Sequence, residues 1–80
     1  MLLNVNPYLK IISDNMKEYR IKNNVDQVTL AMEAGVTQAT ISRMENIKDK
    51  NPYITTIDLV AKGMGMTLIE ILKPLEDDDE

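Results

Sequence analysis

At 80 residues the chain has room for one domain, and a fold of this size buries only about 60–65% of the surface that its unfolded chain exposes. A 44% apolar composition suffices for one core, but with no Phe and no Trp that core must be built from Ile, Leu and Met. The net charge of −4 argues at first against an anionic partner. Zero Cys and zero His remove disulfides, thiolate chemistry, the commonest general base and the commonest transition-metal ligand. An enzyme is not expected, nor is a metal or other cofactor.

The charge is unevenly distributed, however. Glu76, Asp77, Asp78, Asp79 and Glu80 carry five of the 13 acidic groups, so residues 1–75 hold nine basic and eight acidic side chains. The division predicted is a near-neutral domain over 1–75 and a disordered acidic tail over 76–80, because a like-charge run without apolar partners has nothing to bury. The amino-terminal MLLNVNPYLK lacks the basic and long apolar regions of a secretion signal, and no apolar run reaches about 18 residues. Neither export nor a membrane span is expected. A reducing cytoplasm fits the absence of Cys.

In chain order the apolar spacing is helical throughout. A first helix is predicted from Pro7 or Tyr8, since proline suits a first turn, with Leu9, Ile12, Met16 and Tyr19 on its buried face and Asn23-Asn24 as its stop. Asp26 is placed to cap a short helix from Gln27 to Ala34, and Gly35 stands where a left-handed residue commonly ends one. A third helix runs from about Thr37 to about Asn46, followed by a polar connection over 47–53 that Pro52 interrupts. Thr55 or Thr56 is expected to open a fourth helix through Ile57, Val60, Ala61 and Met64, ended by Gly65. Thr67 and Glu70 have the spacing of a capping box, starting a fifth helix through Leu68, Ile71 and Leu72 that Pro74 stops. The fold predicted is all-α, a compact bundle of five short helices. Most of Met16, Met32, Met44, Met64 and Met66 read as core filler at helical spacing.

The stretch from Gln27 to Asn46, QVTLAMEAGVTQATISRMEN, has the internal spacing of a helix-turn-helix. Ala31 falls where two helices cross closely, and Gly35 supplies the positive φ of the tight turn. Leu30, Ala34, Val36, Ile41 and Met44 form the inward set. That leaves Thr37, Gln38, Ala39, Thr40, Ser42, Arg43 and Asn46 facing outward. In such a motif the second helix enters the major groove with its first residues nearest the base edges, and Gln and Arg are side chains that can read them.

With those residues in place, the sequence resembles the phage-repressor and Cro-like (XRE-type) helix-turn-helix regulators. The resemblance covers roughly Leu9 to Leu72 and includes Arg20, Gln27, Leu30-Ala31, Gly35-Val36, Ile41-Ser42-Arg43, Glu45, Asn51-Pro52, Ile57, Val60-Ala61 and Gly65. It implies a lambda-repressor-like domain that inserts the helix at about 37–46 into double-stranded DNA as a homodimer on a pseudo-palindromic operator. It also implies roles. Arg20 pairs with Glu45; Gln27 and its helix start grip a phosphate; Gln38, Ala39, Thr40 and Arg43 read bases. Thr37, Ser42, Asn46, Lys48 and Lys50 lie along the DNA backbone, and the fifth helix, with Leu68, Ile69, Leu72 and Leu75, forms the dimer interface. The sequence departs from the family pattern at Gly63, where Ala is usual, and in the loop after the recognition helix, where Ile47 and Lys48 stand in place of Gly.

Three function classes follow from this: a promoter-occupying regulator of phage, mobile-element or restriction–modification controller type; an antitoxin-type module that binds a protein toxin and its own promoter; and a partner-binding domain that has lost DNA binding. Gln38 and Arg43 argue against the third, and the lack of a long toxin-wrapping extension weakens the second. The expectation is a minimal DNA-binding regulator, acting at the nucleoid, that needs no small-molecule ligand.

Overall fold

The computed structural model describes residues 6–76, and the described chain is all-α with five helices: α1 Pro7–Asn23, α2 Gln27–Ala34, α3 Gln38–Glu45, α4 Ile54–Gly63 and α5 Leu68–Ile71. Of the proposed acidic tail only Glu76 falls among the described residues, where it is exposed. The boundaries arise from local chemistry. The Asn6 side chain accepts a hydrogen bond from the Tyr8 N–H at 2.9 Å and Pro7 sets the first turn, while Asn24 ends α1 in the left-handed region at φ 55°. Asp26 caps α2 through the Thr29 N–H at 2.8 Å, and Gly35 closes it at φ 76°. Thr37 caps α3, and Thr67 and Glu70 form the reciprocal capping box of α5.

Three predicted boundaries move. The fourth helix begins at Ile54, with Thr55 and Thr56 inside its first turn: Tyr53 stands extended after Pro52, and its carbonyl accepts from the N–H groups of Thr56 and Ile57 without any side-chain cap. It ends at Gly63, one residue before Met64, with Gly65 left-handed just beyond at φ 74°. The fifth helix is a single turn that closes at Ile71, well short of Pro74, and the first helix at 17 residues is not short.

One core unites the elements. Met16 from α1, Leu30 from α2, Ile41 from α3, Val60 from α4 and Ile71 from α5 are all fully buried. Each such side chain stabilises by about 1.5–3 kcal/mol relative to an exposed position. α2 packs on both α3 and α4, while α1 lies across α3 and α5. The α2–α4 approach is close enough that a Cβ on Gly63 would sit 2.9 Å from the Cα and Cβ of Ala34, which explains glycine at that position. Met32 departs from the methionine pattern: it is 76% exposed, whereas Met16, Met44 and Met64 are buried and Met66 packs against the core.

Candidate nucleic-acid interface

α3 is held from below and behind. Its inner face buries Ile41 and Met44 against the core, and Glu45 at its last turn is only 3% exposed although charged. A buried carboxylate is tolerated only when paired and hydrogen-bonded. Arg20 of α1 supplies both, with Nε donating to Oε2 at 2.7 Å and Nη2 donating to Oε1 at 2.8 Å, a bidentate fork. Burial pushes the Glu45 carboxyl up, but hydrogen bonds from Arg20 and Gln27 and the charges of Arg20 and Lys17 outweigh it, so the carboxyl lies below its ordinary value. The same hydrogen bond, against an opposing burial effect, holds the Arg20 guanidinium above its ordinary value. The pair expected from the sequence is therefore present.

Two further polar side chains of α1 act as anchors, Ser13 for the end of α3 and Asn15 for the C-terminal segment. Ser13 Oγ donates to the Glu45 carbonyl at 2.6 Å, and Asn15 Nδ2 donates to the carbonyls of Ile71 and Lys73 at 2.9 Å each. Both are buried inside the apolar stripe of α1. A polar residue interrupting a buried stripe was the available signal, because burial without a partner is expensive.

The outer face of α3 carries the residues assigned to recognition. Gln38, Ala39 and Arg43 are exposed and Thr40 is half-exposed. Their side chains are joined in two chains. Thr37 and Thr40 share a hydroxyl hydrogen bond of 2.9 Å, and Arg43 Nη2 reaches the Thr40 hydroxyl at 3.4 Å. Gln38 Nε2 donates to Gln27 Oε1 at 2.8 Å, while Gln27 Nε2 donates to Glu45 Oε1 at 3.1 Å. Gln27 thus has both ends of its amide engaged within the protein, an arrangement that the phosphate-gripping role did not anticipate. The exposed Asp26 beside it bears on that role too: its hydrogen bonds from Thr29 hold its carboxyl below the ordinary range, placing a negative charge at the start of α2.

The remaining assigned residues are more scattered. Asn46 Nδ2 bonds to the carbonyl and hydroxyl of Ser42 at 2.9 and 3.3 Å, so those two side chains pair with each other. Lys48 is exposed, while Lys50 Nζ donates to the Ile47 carbonyl at 3.2 Å. Ile47 itself takes φ 54°, the left-handed conformation the family pattern reserves for Gly in this loop. In the C-terminal segment Leu68 and Leu72 pack partly against the core, whereas Ile69 is 69% and Leu75 45% exposed. Leu75 also lines a shallow cleft of about 330 Å³ with Asn15, Tyr19 and Met66.

Two short helices locked at an angle through a left-handed glycine, the second one presenting its first turn to solvent, make a helix-turn-helix unit. A family model described as Helix-turn-helix matches residues 16–71 of the chain. The protein belongs to that family, in its XRE/Cro-like branch, and is a DNA-binding transcription regulator. No curated protein and no solved structure matched the chain. Among the described residues no helix is long and apolar enough to cross a membrane.

Proposed function

We propose that the protein is a repressor that occupies promoter DNA as a homodimer, with α3 in the major groove of each half of a pseudo-palindromic operator. The observation that carries this reading is the exposed first turn of α3, where Gln38, Ala39 and Thr40 stand together with Arg43 one turn on, over a helix whose opposite face is locked in the core. Gln38 and Arg43 make the base contacts, and Ala39 and Thr40 lie against the base edges and thymine methyl groups. Thr37, Ser42, Asn46, Lys48, Lys50 and the start of α2 at Gln27 follow the sugar–phosphate backbone, which sets register and affinity. Repression by occupancy needs no cofactor and no catalytic group, and it places the protein in the cytoplasm at the nucleoid.

The dimer forms through the C-terminal segment. Ile69 and Leu75, exposed and apolar, supply the contact surface, with Leu68 and Leu72 backing it from the core side. The division into a domain over 1–75 and an acidic segment over 76–80 reaches beyond the described residues at both ends, and the charge of that segment repels nonspecific phosphate. Selection of bound duplexes from a random pool tests the proposal directly. An enriched inverted repeat with half-sites about one helical turn (~34 Å) apart supports it. A pool with no enrichment, or a single unrepeated site bound by a monomer at tens of micromolar, overturns the repressor-dimer reading.

A further inference from the structure

From the cap of α3 onward, Thr37, Thr40 and Arg43 follow one another at three-residue intervals, which puts them on one side of the helix. Thr37 Oγ accepts from the Thr40 backbone N–H at 3.2 Å. The same Oγ lies 2.9 Å from Thr40 Oγ, and Arg43 Nη2 donates to Thr40 Oγ at 3.4 Å. A guanidinium only donates, so toward Arg43 the Thr40 hydroxyl is the acceptor. Its oxygen thus has two partners inside the protein. Thr40 is β-branched, so fixing Oγ on its Cβ also fixes where the methyl points. The chain's other arginine, Arg20, has its fork on Glu45, whereas Arg43 is exposed and, among the described residues, forms no ion pair.

We propose that Thr40 divides its side chain between two tasks: the hydroxyl holds Arg43 ready for a two-point contact with guanine, and the methyl alone meets a base. The proposal rests on the reading that α3 enters the major groove. A mobile guanidinium can settle for a single acceptor, the N7 of adenine or a phosphate oxygen. One held at Nη2 presents its planar fork in one direction, matched to the N7 and O6 acceptors of guanine. Ordering a long side chain before binding also lowers the freedom it must lose when it docks. Thr40 is a positioning residue for that contact: its hydroxyl acts through Arg43 and does not touch the guanine.

The test uses the whole chain and the duplex it selects from a random pool. Arg43→Ala first locates the base pair that Arg43 reads, which is then varied through all four identities. Wild type should favour G·C over A·T there on the order of tenfold, the value of one good two-point contact. Thr40→Val keeps the methyl and the branch, removes the hydroxyl, and leaves the Thr37 cap its backbone donor. In that variant the ratio should fall to about threefold or less. Thr40→Ser keeps the hydroxyl and should hold the wild-type ratio at that pair, while losing about threefold of the preference for T·A where the methyl sits. Thr40→Ala takes the place of the valine variant if the latter loses its helical circular dichroism. A wild-type ratio in Thr40→Val would overturn the proposal, and so would an equal fall in the valine and serine variants, which is how a side chain that merely packs behaves. Wild-type preference for A·T at the Arg43 pair would overturn it with no variant at all. If Arg43→Ala changes no position, the groove reading fails and takes this proposal with it, a result distinct from the other outcomes.

Discussion

The two ends of α3 solve the same geometric problem with different residues. At the leading end the chain turns through Gly35 at φ 76°, and a Cβ there would meet no atom within 4 Å. At the trailing end it turns through Ile47 at φ 54°, a β-branched residue in a conformation that disfavours side chains. The leading turn is held by local chemistry: the Thr37 cap and the Gly35 and Val36 N–H groups bonded back to Ala31. The trailing turn has a matching local bond, from the Lys48 N–H back to Arg43, but is held in addition by distant residues, through Arg20 and Ser13 on Glu45. A strained turn survives where the surrounding structure over-determines it. The recognition helix is thus set locally where it starts and by tertiary contacts where it ends.

Cutting the tertiary hold should have the largest effect. Arg20→Met strands a buried carboxylate, a loss of about 3–5 kcal/mol in the fully buried case. The 23% exposure of Arg20 puts this pair toward the lower part of that range. The double variant Arg20→Met with Glu45→Leu should lose less than Arg20→Met alone, and urea unfolding of the four proteins measures the coupling. Additive losses would show that the trailing end does not depend on the pair. Because the Glu45 carboxyl is lower in the folded than in the unfolded chain, its contribution is complete above the unfolded value of about 4.3 and is lost as pH falls through the folded one. The acid-side fall in wild-type stability should therefore be blunted in the double variant.

Next comes the contact just ahead of the leading turn. Gly63→Ala places a methyl group 2.9 Å from Ala34, and forcing the two helices apart should destabilise by about 1–3 kcal/mol, less what alanine gains in helix propensity. Ala34→Gly in the same chain should return part of the loss in thermal melts. No recovery would mean that the close approach is not what glycine serves.

The two turns themselves should respond in opposite directions, each by about 1 kcal/mol. Gly35→Ala strains a backbone that glycine tolerates, and Ile47→Gly relieves one that isoleucine does not. Destabilisation by Ile47→Gly would show that its side chain contributes more to packing than its backbone loses. Smallest of all, Asp26→Asn keeps an equivalent cap and removes a negative charge at the start of α2. DNA affinity should rise about twofold to fivefold at low salt, for all sequences alike, and converge with wild type as salt increases. An unchanged affinity would place Asp26 away from phosphate.

The contrast between the two turns also explains what could be read from the sequence. Gly35, Asp26, Thr37 and the Thr67–Glu70 box act over three or four residues, so their types at their spacing sufficed. Arg20 and Glu45 were paired only because the family resemblance supplied the distance between them. Ile47 carries no mark of a left-handed turn, since the bonds that hold it there come from α1 and α3. The start of α4 is not legible because Thr55 and Thr56 are better caps by type than Tyr53, which serves through its carbonyl alone. Of the five methionines, most of which the helical spacing makes core filler, Met32 is the exposed exception. An eight-residue helix has one buried stripe, and Leu30, Ala31 and Ala34 occupy it. The engagement of Gln27 on both sides needed the crossing angle of α2 and α3, which no residue type encodes.

Base recognition by the outer face of α3 is tested most directly by measuring binding of Gln38→Ala and Arg43→Ala to every single-base-pair change of the selected operator. If the helix lies in the groove as proposed, each variant loses about 1–3 kcal/mol of discrimination at its own base pair and keeps it elsewhere. If both variants retain the full wild-type preference at every position, α3 does not read the DNA.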